Sequence, residues 1–517
     1  MKRAAFLLAA AMALLSAVPA LTRAAAAAPL PRFHVAFTSE VEAEPFTGRV
    51  LVYLGRAGDG REPRSGPNWF APQPFFALDV KNIKAGETIT VGGPNTKRFP
   101  RDLKELPDGP LLAQAVLDRN VGGESRVGAG AGNGFSSPVA LPATGSEPVR
   151  LLIDKTVEPA AFRETARTKE VVVPSKLLSD FYKRPTVMRA AVVLPEGYAA
   201  ETARRYPVLY AIPGFGGRHF QAEGYSGLYT SGPAAPKMLF VMLDPDCATG
   251  HHVFADSASN GPRGRALVEE LIPAIEKQFR AIGKPGARFV AGHSSGGWSS
   301  LWLQVSYPDT FGGVWSTSPD PVDFRDFQRI DLYAKDANMF RDAAGKPRPI
   351  ARRGDTPVLY YQQFSDMEDV LGRGGQLASF EAVFSPRGRD GQPRPLWDRV
   401  TGAVDPETVR AWQKYDIRLK LERDWKTLGP KLAGKLHVYT GGVDTFYLEG
   451  AVALLKESLT KLGSDAKVEV IPGKDHGSIL DAAMRERLAR EMAETLKKNG
   501  VDTEAAGTPR SPAVSGR

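Results

Sequence analysis

The chain has 517 residues, 42% of them hydrophobic and 24% charged, with a formal net charge of +9 and one cysteine. That is longer than one typical domain of ~100–200 residues, and the apolar content supplies a large core. The positive excess is spread over the chain with no dense Lys/Arg stripe interleaved with aromatics, which sets nucleic acid aside, and a lone Cys247 excludes an internal disulfide.

Residues 1–28 read as a secretory signal peptide. Lys2 and Arg3 form the charged start, residues 4–15 an apolar core, and small residues run through Ala28. Cleavage is expected after Ala20 or within 24–28; removal of Lys2, Arg3 and Arg23 together would lower the net charge by three. The apolar run is shorter than the ~20 residues of a spanning helix, and no later stretch qualifies. A mature protein in the bacterial periplasm or outside the cell, with no stable membrane insertion, is the expectation. Cys247 has no turn around it that would make it a nucleophile, so a buried apolar role is expected.

Residues 30–155 carry short strand-like runs at 33–37, 48–54, 75–80, 88–91, 111–117 and 149–153, separated by glycine- and proline-rich turns. Strands at that rhythm without a helical period predict an all-β, sandwich-like N-terminal domain. Trp69, Phe70, Phe75 and Phe76 raise the option of a carbohydrate or polymer surface, against the commoner reading of stacked core residues. The domain could equally complete a wall of the active site.

Residues 165–498 read as α/β with a mostly parallel sheet. A strand at 206–212 runs into Pro213-Gly214-Phe215-Gly216-Gly217, where hydrolases carry a loop that supplies an oxyanion donor. The backbone N–H of Phe215 is the candidate, with Gly214 and Gly216 as rivals. The apolar run 287–291 leads into Gly292-His293-Ser294-Ser295-Gly296, and a helix-compatible stretch starts at Gly297. Strand, sharp turn and helix around G-x-S-x-G is the setting that exposes a nucleophilic serine, here Ser294, and aims the next amide, that of Ser295, at the oxyanion.

From about 319 to 434 far more residues intervene than the ~10–12 that a crossover requires, which predicts a cap-like insertion shaping the substrate site. Phe364, Asp366 and Trp397 are its candidates, taken as a group. The strand 435–440 then exits into a loop bearing Asp444, a helix follows from about 447 to 459, and the strand 466–471 ends at Asp475-His476-Gly477. Asp444 and His476 each fall just past the carboxyl end of a strand, where catalytic groups gather in parallel sheets.

A serine hydroxyl needs a base, histidine supplies one near neutral pH, and a carboxylate fixes the imidazole tautomer. Of seven histidines only His476 follows a terminal strand after an acid loop. His34, His251 and His252 fit no role as triad base, His437 is inside a strand, His293 points along the elbow, and His219 could line the cleft. Asp475, adjacent to His476, is poorly placed to meet it. The tail at 501–517 reads as disordered.

From about Val171 to Lys497 the chain resembles the secreted "putative esterase" branch of the α/β-hydrolases, the group of esterase D and enterochelin esterase. The residues that carry the resemblance are 189–198, 205–210, the 213–217 loop, Asn260-Gly261-Pro262 with 269–273, and the elbow. It implies carboxylic-ester hydrolysis through an acyl-enzyme, with no metal and no organic cofactor. Pro213 stands where many relatives have histidine, and the 319–434 segment is unusually long.

The sequence therefore reads as a secreted serine esterase with a Ser294–Asp444–His476 triad, Ser295 and Phe215 amides at the oxyanion, and a small-molecule or polymer-linked ester as substrate. The alternatives are an acyltransferase or peptidase with the same triad, or a non-catalytic binding protein on a hydrolase scaffold.

Overall fold

The structure, a computed structural model, describes residues 30–142 and 147–501. The expected signal peptide at 1–28, and the expected tail apart from Val501, lie outside the described residues.

Nine strands between Phe33 and Thr156 form one sheet. The first, Phe33–Phe37, pairs in parallel with the last, Val149–Thr156, and the other pairings are antiparallel. Alternate residues point inward: Phe33, Val35 and Phe37 from one strand, Val149, Leu151 and Ile153 from its partner, Val50, Val52 and Leu54 from Phe46–Arg56. The ring of Phe33 lies 5.4 Å from that of Phe76 although four strands separate theirs in the sheet order, so the sheet doubles over a core of its own. The runs at 33–37, 48–54, 75–80, 111–117 and 149–153 fall in strands, and that at 88–91 does so from Ile89. Lys97–Phe99, Gly134–Ser136 and Val139–Ala140 are added, each too short to show a period.

Part of the outer face of this sheet is covered rather than exposed to solvent. Leu51, Tyr53, Phe75 and Ala77 point away from the inner core and join the main core of the molecule, which is why residues 50–54 read as an unbroken apolar run rather than an alternating one.

The second sheet has eight strands, in spatial order Thr168–Pro174, Val187–Val193, Leu239–Leu243, Val208–Ile212, Arg288–His293, Gly313–Thr317, Leu436–Gly441 and Lys467–Ile471. The first two pairings are antiparallel and the remaining ones parallel. Numbered along the chain the order is 1-2-4-3-5-6-7-8, the arrangement of an α/β-hydrolase. Register brings the exits of the parallel strands to one level: Ile212 opposes Gly292, Gly292 opposes Ser316, and Gly441 opposes Ile471. The loops that leave these strands meet along one edge, and that edge carries the site.

Between Thr317 and Leu436 the chain adds a hairpin, Pro349–Arg353 with Thr356–Tyr360, and the helices Tyr361–Leu371, Gln376–Phe384 and Pro406–Trp412. The last helix of the segment, Ile417–Leu432, packs on Ser295–Ser306 and belongs to the sheet's helical layer rather than to a cap. The N-terminal sheet grips Tyr361–Leu371. Arg49 Nη1 donates to the carbonyls of Asp369 and Val370 at 3.1 and 3.0 Å, placing a cation on the carbonyl-rich end of the helix. Lys97 and Arg101 pair with Asp369 and Asp366 at 2.9 and 2.8 Å. No helix of the described residues is long and apolar enough to cross a membrane.

Candidate active site

Ser294 sits between the strand Arg288–His293 and the helix Ser295–Ser306 with φ 60° and ψ −127°. A non-glycine residue there costs ~1–3 kcal/mol and persists only where its surroundings enforce it. They do: Ser294 N–H donates to the Thr317 carbonyl at 3.0 Å, and its own carbonyl accepts from Trp298 and Asp320 N–H at 3.1 and 3.3 Å. The flanking glycines are steric necessities. A Cβ on Gly292 would lie 2.1 Å from the Gly296 carbonyl oxygen, and one on Gly296 would lie 2.0 Å from that of Ile212.

His476 Nδ1 lies 2.9 Å from Asp444 Oδ2. Asp444 is fully buried; its Oδ1 accepts from Phe446 N–H at 2.8 Å, and its backbone carbonyl accepts from Arg352 Nε at 2.9 Å. The carboxylate is thus fixed before it meets the imidazole. The His476 ring is held between His293, 4.5 Å away centre to centre, and Phe446, edge-on at 4.9 Å. With Nδ1 on the carboxylate, Nε2 is the nitrogen left to face a cavity of about 430 Å³ that Ser294 and His476 both line. Asp475 turns away: its Oδ1 accepts from Gly477 and Ser478 N–H at 3.1 and 2.8 Å and caps the local turn.

The Pro213–Gly217 loop borders the same cavity, closed by a bond from Gly217 N–H to the Gly214 carbonyl at 3.0 Å. A Cβ on Gly214 would stand 3.2 Å from Ser294 Cβ, so the loop backbone lies directly against Ser294. Ser295 opens its helix, which leaves its N–H without an intrahelical acceptor. Two groups brace the loop from behind. His251 Nε2 donates to the Pro213 carbonyl at 2.9 Å while Nδ1 accepts from Val253 N–H at 3.1 Å, and burial lowers the ring's pKa to about 4, which keeps it neutral in that tautomer. Arg126, from the N-terminal sheet region, donates from Nη2 to the Gly216 carbonyl at 3.1 Å.

The rest of the cavity comes from both flanking regions. Trp69 packs its ring 4.9 Å from Phe364, 5.6 Å from Phe215 and 6.4 Å from Phe446. Phe380, Gln328 and Gln376 come from the insertion, and Asp320 follows the strand Gly313–Thr317. Ser295 Oγ donates to Asp320 Oδ2 at 2.6 Å, and Gln376 Nε2 donates to that oxygen at 3.3 Å. Burial, outweighing the Ser295 hydrogen bond, pushes the Asp320 carboxyl up to about 6.

Several expectations resolve differently from their grouping in the sequence. Of Phe364, Asp366 and Trp397 only Phe364 reaches the cavity; Asp366 pairs with Arg101, and Trp397 is buried with Nε1 donating to Ser365 Oγ at 3.3 Å. Of the early aromatics, Phe75 and Phe76 are core, Phe70 is exposed, and Trp69 faces the cavity. His219 does not line the cleft. It is fully buried behind the loop, between Asp244 Oδ2 at 2.7 Å and Glu170 Oε1 at 3.0 Å, because those two carboxylates offer both ring nitrogens partners that the cleft lacks. Cys247 is buried and its thiol is pushed up by that burial.

Asp320, Gln376, Gln328, Phe446 and Arg126 were not singled out from the sequence, and His251 was considered only as a triad base and set aside. Asp320 had a signal, since it lies just past the carboxyl end of a sheet strand, as Asp444 does. Arg126 had none, because its place depends on how two distant segments dock; Trp69 stood out only as one of four early aromatics.

The sheet order and the elbow define an α/β-hydrolase. A family model described as "Putative esterase" matches residues 184–443, half of the chain. The chain belongs to this esterase family. Two curated relatives, Esterase MT1326 and Esterase Rv1288 from two strains of Mycobacterium tuberculosis, are each 29% identical over 156 residues, 30% of this chain and 34% of theirs. The match thus spans about a third of the length of those relatives. Among solved structures, a ferulic acid esterase aligns at TM-score 0.40 and 15% identity over 64% of this chain and 98% of that one. An S-formylglutathione hydrolase from Agrobacterium tumefaciens aligns at 0.40 and 16% over the same shares.

Proposed function

We propose that the protein is an exported serine carboxylic-ester hydrolase working through an acyl-enzyme. The observation that carries this reading is the Asp444–His476 hydrogen bond, set beside a serine on a strained elbow that lines the same cavity. His476 Nε2 takes the proton of Ser294 Oγ as that oxygen bonds to the ester carbonyl carbon, and Asp444 stabilises the imidazolium. The carbonyl π electrons move to oxygen, where the Ser295 and Phe215 N–H groups receive the charge. The tetrahedral species collapses, the C–O bond to the alcohol breaks, and His476 returns its proton to the leaving oxygen. Water then repeats the sequence on the acyl-enzyme and releases the acid. A cavity of about 430 Å³ is the size of a small-molecule site, so a small ester, or the ester end of a polymer-linked group, fits it. Export rests on the sequence pattern of residues 1–28.

Fluorophosphonate labelling of the purified protein, with the adduct located by peptide mass spectrometry, tests the mechanism. An adduct on Ser294 that is abolished in His476→Ala is the expected result. A folded protein that takes no label overturns the reading in favour of a binding protein on a hydrolase scaffold.

A further inference from the structure

One buried carboxylate of the cavity has no part in the chemistry above. Asp320 is 7% exposed, lines the cavity, and has its backbone N–H on the Ser294 carbonyl, so it stands next to the reacting centre. Its Oδ2 is occupied by Ser295 Oγ and Gln376 Nε2. Among the described residues Oδ1 accepts no hydrogen bond, and no Lys or Arg pairs with the carboxylate. Desolvation outweighs the Ser295 hydrogen bond and the attraction of His476, whose effect Asp444 opposes, so the raised proton affinity of Asp320 expresses the cost of a buried carboxylate with no hydrogen-bonded cation.

The neighbouring walls are aromatic. Trp69, Phe215, Phe364, Phe380 and Phe446 line the same cavity, and the faces of such rings attract cations. The opposing charge nearby is Arg126, which is exposed, bonded to the Gly216 carbonyl and therefore screened by water. His293 is kept neutral, first by desolvation and then by the adjacent His476.

We propose that this cavity selects esters carrying a cationic amine, with the ammonium seated between Asp320 Oδ1 and the aromatic rings while the ester carbonyl lies at Ser294. The proposal rests on the serine-hydrolase reading for its catalytic readout, and on Asp320 alone for its binding readout.

Isosteric substrate pairs test it. One pair carries the charge on the alcohol side, 2-(trimethylammonio)ethyl butyrate against 3,3-dimethylbutyl butyrate. The other carries it on the acyl side, phenyl 4-(trimethylammonio)butyrate against phenyl 5,5-dimethylhexanoate. In the wild-type protein the cationic member of at least one pair should have about tenfold higher kcat/KM, expressed in KM, the scale of a desolvated cation–aromatic contact. Asp320→Asn should bring that ratio close to one. Equal rates within both wild-type pairs overturn the proposal, as does a ratio that survives Asp320→Asn. A preference for 2-hydroxyethyl butyrate over both members of the first pair also overturns it, making Oδ1 a hydroxyl acceptor instead. If no ester is hydrolysed, the hydrolase reading fails, and calorimetric titration of the Ser294→Ala protein with phenyltrimethylammonium decides the cation seat by itself. Saturable binding supports the seat, and no binding overturns it.

Discussion

The proposed reacting groups and the walls around them are assembled in different ways. Ser294, Asp444 and His476 leave the ends of three strands of one sheet, and the register of those strands sets their spacing. Trp69, Arg126, Phe364 and Phe380 come from the N-terminal sheet region and the insertion, which contribute no strand to that sheet and reach the cavity by docking on one another. The first set is fixed locally by the backbone. The second is fixed by an interface of cation–carbonyl bonds and ion pairs. Damage to the first should remove chemistry, and damage to the second should alter recognition.

The largest effects therefore belong to the strand ends. Ser294→Ala or His476→Ala should lower kcat by ~10⁶, as for a triad whose members act as a unit. Asp444→Asn should cost ~10⁴ by favouring the His476 tautomer that carries its proton on Nε2 and so cannot accept one from Ser294. Asp475→Asn, which touches only its own turn, should leave kcat within about twofold. Burst and steady-state kinetics on an activated ester would rank the four, and an Asp475 effect larger than that of Asp444 would reverse the assignment of the acid.

The proposed oxyanion loop, residues 213–217, joins the two sets, since Arg126 and His251 hold its carbonyls. Arg126→Ala and His251→Phe should each lower kcat with KM little changed, by less than the ~10²–10³ seen when a donor itself is lost. Arg126→Lys should recover part of the rate, because a lysine can still donate to the Gly216 carbonyl. A change in KM alone would make Arg126 a substrate contact instead. Trp69→Ala should do the opposite, raising KM by about tenfold for a filled aromatic contact while kcat stays close to wild type. Equal parameters in Trp69→Ala would mean that substrates do not reach the wall shared with Phe364.

The same division explains what could be read in advance. The elbow, the acid loop and the histidine loop were legible because each follows an apolar strand with a turn sequence whose geometry is local, as the contacts awaiting any Cβ at Gly292 and Gly296 make plain. His219 misled because it follows the oxyanion loop in sequence, while its partners Asp244 and Glu170 come from other strands' ends and edges. Trp69 was grouped with Phe70, Phe75 and Phe76 as one aromatic cluster, although Phe75 and Phe76 open a strand and Trp69 lies in the bend before it. Only docking onto Phe364 separates the cavity residue from the core ones. The insertion was visible as surplus length, but its final helix, Ile417–Leu432, completes the hydrolase layer and carries no signal of that allegiance.

The smallest expected effect isolates the buried carboxylate. Burial raises the Asp320 pKa from 3.8 to about 6, so the folded state binds this proton more tightly than the unfolded chain does. Folding is favoured by that proton below about pH 4, and the contribution is lost as pH rises through about 6, with no further change above. Asn at this position has no such titration and can still accept from Ser295 Oγ. The melting temperature of Asp320→Asn should therefore gain on wild type across that window, by a few degrees for ~1–3 kcal/mol. Glu368, buried and raised to about 7, titrates alongside it in both proteins and cancels in the difference. A difference that stays flat with pH would mean that Asp320 is solvated or already paired. The cavity would then hold no unsatisfied charge to select a cationic substrate.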